Sequence, residues 1–201
     1  MNPSDLTVRD PSALAHIGVA RRDITPPVGI YNRDWGAAQH DVAEGVHRQL
    51  SLTVLTFQQA ADSPPLLLAS LDAGWWRDDE DERILRSSVL EALKLDSSRV
   101  MLNLTHTHAS CSLCRRDADK PGGHLIAAHM DRLGRLLIEA AREALRSAQP
   151  AVLTWATGRC SMATNRDLPD PDQPRVVCGF NPQIRADDTV LVGRITRADV
   201  K

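Results

Sequence analysis

Residues 66–71, Leu-Leu-Leu-Ala-Ser-Leu, form an almost wholly apolar run that Ser63-Pro64-Pro65 turns in and Asp72-Ala73-Gly74 turns out. A run this short, apolar at alternate positions on both sides, reads as a strand near the centre of a sheet. Ahead of it, residues 50–57 alternate cleanly, the pattern of a half-buried strand, and the short connection predicts an antiparallel pair. Residues 78–95 then read as a helix, with acidic residues in the first turn and Ile84, Leu85, Val89, Leu90 and Leu93 on one face. Residues 99–104 return to strand. Residues 122–148 carry the strongest helical pattern, through Leu133, Leu136, Leu137, Ala140, Ala141 and Leu145, and Pro150 ends it. Short strands are predicted over 16–20, 152–157 and 189–195, and residues 31–44 read as a loop. Strands alternating with long helices define a single α/β domain, a mixed β-sheet layered with α-helices.

At 201 residues and 42% hydrophobic content, the chain can bury a sizeable core. With aromatic residues at only 3%, Leu, Val, Ile and Ala must build it. A formal net charge of -2 argues against nucleic acid or an anionic membrane surface as a partner. No apolar run reaches membrane-spanning length, so no transmembrane segment is expected. The opening Met1-Asn2-Pro3-Ser4-Asp5-Leu6 lacks a basic start and an apolar core, so the expected location is the cytoplasm. There the four cysteines read as ordinary thiols, with Cys111 an outside candidate for a metal because it lies near His108.

The chemistry concentrates at Thr105-His106-Thr107-His108, which closes the strand over 99–104. Strand side chains repeat every two residues, so both imidazoles are expected on one face at the strand's exit. Converging imidazoles form half of a metal site, and zinc suits imidazole nitrogen. Other polar residues stand where a site could use them. Asp72 follows a strand directly and serves a binding crevice or a turn. His47 precedes the alternating strand. Arg166, in Asn165-Arg166-Asp167, could bind a carboxylate or stabilise an oxyanion. His124 and His129 are expected on the surface near a helix start. Trp75-Trp76 is expected to cover the core or line a pocket.

Taken in order, Gly18-x-x-x-x-Asp23-Ile24-Thr25-Pro26, Gly45-Val46-His47, Leu71-Asp72-x-Gly74, Thr105-His106-Thr107-His108 and Asn165-Arg166 make the chain resemble the N-terminal part of the neutral/alkaline, non-lysosomal ceramidases. The match runs from about residue 16 to residue 195. Residues 1–15 read as a polar, disordered tail, and the resemblance implies a zinc hydrolase domain over 16–201, incomplete at its C-terminus. It implies hydrolysis of the amide of an N-acyl sphingoid base, a small-molecule or lipid substrate, by a zinc-activated water. It makes His106 a zinc ligand and gives His108 and Arg166 contacts to the substrate and its tetrahedral intermediate. His47 and Asp72 match further family positions and are additional site candidates. The family's other zinc ligands, a second His, a Glu and a Tyr, would follow residue 201.

After the histidines the family carries Ser-Gly-Pro-Gly-Gly, and this chain has Ala109-Ser110-Cys111-Ser112-Leu113-Cys114-Arg115-Arg116. Two other readings therefore stay open. One is a metal-dependent hydrolase of a more polar amide or ester, with the paired arginines favouring an anionic substrate. The other is a non-catalytic fragment with a vestigial metal site. Oligomeric state is not specified by the sequence.

Overall fold

The computed structural model describes residues 12–33 and 35–199. They fall into two compact units, one over 15–150 and the other over 12–14 and 151–199. The polar tail expected to reach residue 15 is already strand from Ser12, because β1 spans Ser12–Asp23; residues 1–11 lie outside the described residues.

In the larger unit β2 (Ser51–Gln58), β3 (Leu66–Leu71) and β4 (Val100–Leu104) join β1 in the order β4-β3-β2-β1. β1 and β2 run antiparallel with Val19 opposite Leu55, and β2 and β3 antiparallel with Val54 opposite Ala69. β3 and β4 run parallel with Ala69 opposite Leu102. A parallel pair needs a long crossover, and helix α1 (Asp79–Leu93) supplies it. The mixed sheet layered with helices is thus present as the sequence predicts.

α1 begins where Asp78 accepts a hydrogen bond from the Glu80 N–H at 3.0 Å, which satisfies one of the helix's unpaired donors. Asp79, Glu80, Asp81 and Glu82 in the first turn complement the helix dipole. α2 (Ile126–Arg146) starts later than its periodicity suggests. Gly122 has a φ of 74°, and a Cβ on Gly123 would lie 1.9 Å from the Asp117 carbonyl oxygen, so residues 122–125 form a tight turn instead.

Both helices bury one face of the sheet. Leu52, Val54, Leu67, Ala69 and Leu71 pack with Leu85 and Val89 of α1 and with Leu133, Leu137, Ala140 and Ala144 of α2. The opposite face of β3 is only partly covered, since Leu66 is 52% exposed and Leu68 half-buried. The apolar run expected near the centre of a sheet is thus fully buried on one face only. α2 uses small residues where it meets β1: a Cβ on Gly18 would fall 1.7 Å from the Ala144 carbonyl oxygen.

His129, expected at the surface, is 5% exposed on the buried face of α2. It shares that face with Ile126, Met130, Leu133 and Leu137, one helical turn apart. Its Nδ1 has no hydrogen-bond partner among the described residues. Burial, with a smaller contribution from Arg132, pushes its imidazole down to about 4. The unfolded chain therefore takes up a proton near its ordinary value of 6.5, while the folded chain resists until about 4. Stability from this group is complete above pH 6.5 and falls as the pH drops between these values, by about 3 kcal/mol in all. Denaturant titrations at pH 7 and pH 4.5 should show that loss in the wild type and a markedly smaller one in His129→Leu. Equal losses in both would assign the acid sensitivity elsewhere.

The second unit is built on β5 (Gln149–Arg159) and β8 (Thr189–Arg197), an antiparallel pair with Trp155 opposite Gly193. Between them β6 (Asp167–Pro169) and β7 (Val176–Cys178) form a small antiparallel ribbon. The Pro- and Asp-rich composition of this stretch conceals the ribbon in the sequence.

Candidate functional site

β3 and β4 end side by side, and their pairing continues into the loops beyond. The Thr105 N–H donates to the Leu71 carbonyl at 3.0 Å, and the Thr107 N–H donates to the Ala73 carbonyl at 3.3 Å. The exit of β3 is thereby fastened to the segment that carries the histidines. β4 itself stops at Leu104, and His106 adopts a left-handed backbone with φ 60°. Strand alternation therefore does not bring the imidazoles together, contrary to expectation. A single left-handed residue does so, placing the His106 and His108 ring centroids 5.2 Å apart. Histidine is among the residues that tolerate this conformation, at a cost of order 1 kcal/mol.

Both histidines are exposed, and no hydrogen bond engages either ring among the described residues. Indoles flank them instead. Trp75 lies 5.2 Å from His106 and 5.3 Å from His108, and Trp35 lies 4.7 Å from His108. The contribution of Trp35, from a loop far upstream of His108, leaves no trace in the sequence. The Trp75-Trp76 doublet does leave one: Trp76 packs against the core while Trp75 reaches the histidines.

A cavity of about 390 Å³ adjoins this segment, with Thr107, Asp72, His47, Ser110, Cys111 and Asn32 in its wall. His47 is exposed there. Asp72 has a structural duty, since its Oδ2 accepts from both the Ser51 N–H at 2.9 Å and the Ser51 hydroxyl at 2.7 Å. That clamp fixes the start of β2 beside the end of β3. Arg166 belongs to the second unit, where it is exposed at the turn before β6. Asn165 shapes that turn by accepting the Asp167 N–H at 2.9 Å, and the Arg166 carbonyl accepts the Gly179 N–H at 2.9 Å.

The imidazoles suit zinc in kind, with ring nitrogens that no protein group occupies. In number they provide at most two ligands, and among the described residues no further His, Cys, Asp or Glu clusters with them. The one such cluster lies elsewhere: Asp78, Asp81 and Cys114, all buried, with ligand-type atoms within 4.8 Å. Its carboxylates are already compensated. Asp78 pairs with Arg116 at 2.6 Å, and Asp81 accepts the Arg115 backbone N–H at 2.9 Å. Arg115 also pairs with Asp131 at 2.7 Å. The paired arginines, read from the sequence as a feature favouring an anionic substrate, are thus engaged with these aspartates. None of the four cysteines forms a disulfide, and Cys111 is buried in the cavity wall.

The chain matches no protein-family profile and no curated protein by sequence. Its fold is similar to part of two solved ceramidase structures. It aligns with the crystal structure of neutral ceramidase from Pseudomonas aeruginosa at a TM-score of 0.66 and 19% identity, over 92% of this chain and 30% of that one. A structure described as ceramidase complexed with C2 aligns at a TM-score of 0.66 and 17% identity, over 92% and 29%. The chain therefore has a ceramidase-like fold and spans less than a third of the length of those ceramidases. No helix among the described residues is long and apolar enough to cross a membrane.

Proposed function

We propose that the chain carries part of a zinc-dependent centre that hydrolyses the N-acyl bond of ceramide-like lipid amides. The observation that carries this reading is the pair of imidazoles at the end of β4, side by side with unengaged ring nitrogens, in a fold shared with ceramidases. His106 would hold the metal. A zinc ion bound there supplies Lewis acidity that makes hydroxide available near neutral pH.

The remaining steps belong to the chain's own groups. His108 would hydrogen-bond the substrate's acyl oxygen or assist proton transfer, taking the proton that the attacking water gives up and passing it to the amine as the C–N bond breaks, a transfer for which imidazole suits neutral pH. By the resemblance to ceramidases, Arg166 would stabilise negative charge on the tetrahedral intermediate. His47 and Asp72, on the cavity wall, bound the space for the polar end of the substrate, with Asp72 acting through its hold on Ser51. The apolar character of the substrate is compatible with Arg115 and Arg116, because their charges are met by aspartates.

The test joins zinc binding to turnover on a short-chain N-acyl sphingoid base. Calorimetry should show zinc uptake by the wild type and by Arg166→Ala. Zinc-dependent fatty-acid release should fall on the order of a hundredfold in Arg166→Ala. Because Arg166 is exposed, its removal should leave stability within about 0.5 kcal/mol. Turnover that persists in a chelator, or an Arg166→Ala variant as active as the wild type, would overturn the reading.

A further inference from the structure

The structure assigns Trp75 as a positioning residue: its indole holds the His106 and His108 rings in the side-by-side arrangement in which His106 would meet a metal ion and His108 the substrate. This rests on the function proposed above for the pair and adds a residue to it. Metal-binding histidines are ordinarily oriented by a carboxylate or carbonyl that accepts their second ring N–H. No such hydrogen bond engages His106 or His108 among the described residues. What touches the rings is indole.

Trp75 meets both at once. It lies 5.2 Å from His106 with the planes inclined by 32°, and 5.3 Å from His108 with the planes at 69°, nearly edge to face. Both separations fall within the range over which aromatic pairs attract. One ring thus constrains two others whose backbone, with a left-handed residue between strand and loop, does not hold them by regular structure.

Trp75 can serve in this way because its own backbone is held. Ala73, 2% exposed, accepts the Thr107 N–H, and Gly74 is buried with its Cβ direction facing the Thr107 carbonyl at 3.4 Å. The indole therefore projects from the fastened end of β3, directly across from the histidines. Trp76, the next residue, turns to the core. Trp35 closes His108 from a loop, 39% exposed and touching only that one of the two rings, which makes it the lesser support.

The experiment compares Trp75→Phe and Trp75→Leu with the wild-type chain by two readouts. The first is the order of the His106 and His108 rings in metal-free protein, from side-chain relaxation in NMR. The second is zinc affinity by calorimetry, with thermal melting as the check on folding. We expect disordered rings and about tenfold weaker zinc binding in Trp75→Leu, both largely restored in Trp75→Phe, which keeps an aromatic ring at the position. Rings as ordered in Trp75→Leu as in the wild type would overturn the assignment, as would equal losses in the two variants. Should the wild type bind zinc no better than His106→Ala, the metal reading fails by itself. Ring order in the metal-free variants would still decide the role of Trp75.

Discussion

Gly18→Ala should destabilise the larger unit by about 3 kcal/mol or more, a loss at the upper end for a single methyl group. The added Cβ would sit 1.7 Å from the Ala144 carbonyl oxygen and 2.5 Å from its carbonyl carbon, with the Thr56 hydroxyl at 3.0 Å. Two of those three atoms are backbone of a long helix, so no rotamer change relieves the contact. β1 must move away from α2, and the close approach built by Ala140, Ala141 and Ala144 is lost. For a unit of this size the loss corresponds to a fall in melting temperature of about 6–12 °C. Two controls sharpen the expectation. Gly45→Ala, with nothing within 4 Å of the new atom, should change stability by less than about 0.5 kcal/mol. Ala144→Gly should fail to rescue Gly18→Ala, because the obstructing atoms belong to the main chain. Rescue would place the contact in the side chain and refute the account.

The largest effect on function is expected at His106, where stability and chemistry should part. His106→Gly removes the proposed ligand but also removes the cost of a left-handed backbone on a residue with a Cβ, of order 1 kcal/mol. The greater freedom of glycine in the unfolded chain offsets about 0.5–1 kcal/mol of that gain. The contact with Trp75 is lost as well, at about 1 kcal/mol, so the folded protein should be less stable than the wild type by about 0.5–1 kcal/mol. His106→Ala keeps the strained backbone and loses the contact with Trp75, so it should be less stable by about 1 kcal/mol. Zinc binding should fall in both by more than a hundredfold, since losing even a group that only orients a ligand costs 10–100-fold. Calorimetry and denaturant midpoints on the two variants measure the two quantities separately. Zinc binding retained in His106→Gly would remove His106 from the metal site.

The strands and helices of the larger unit were legible because their apolar spacing is set by the surfaces they bury. β2 alternates since one face meets α1 and α2, and the run over 66–71 is apolar since it lies within the sheet. The His-x-His pair was legible as chemistry, yet its geometry was not. Periodicity assumes that a strand continues, and the left-handed turn at His106 ends it. Other features hidden from the sequence depend on partners distant along the chain. Arg115 and Arg116 read as a free basic pair until Asp131, Asp81 and Asp78 are seen to meet them. His129 reads as polar surface until the start of α2 at Ile126 sets the helical phase that puts it between Ile126 and Leu133 on the buried side. The ribbon of β6 and β7 is too short to impose any pattern.

The two backbone bonds from Thr105 and Thr107 to the exit of β3 have a consequence for how such a protein can diverge. They anchor the histidines from behind, on the strand side, through main-chain groups alone. Residues 111–116 are held by other means, the burial of Cys111, Ser112, Leu113 and Cys114 and the ion pairs of Arg115 and Arg116. The histidines and the segment that follows them are thus tethered by different contacts, so sequence change in one can leave the anchorage of the other in place.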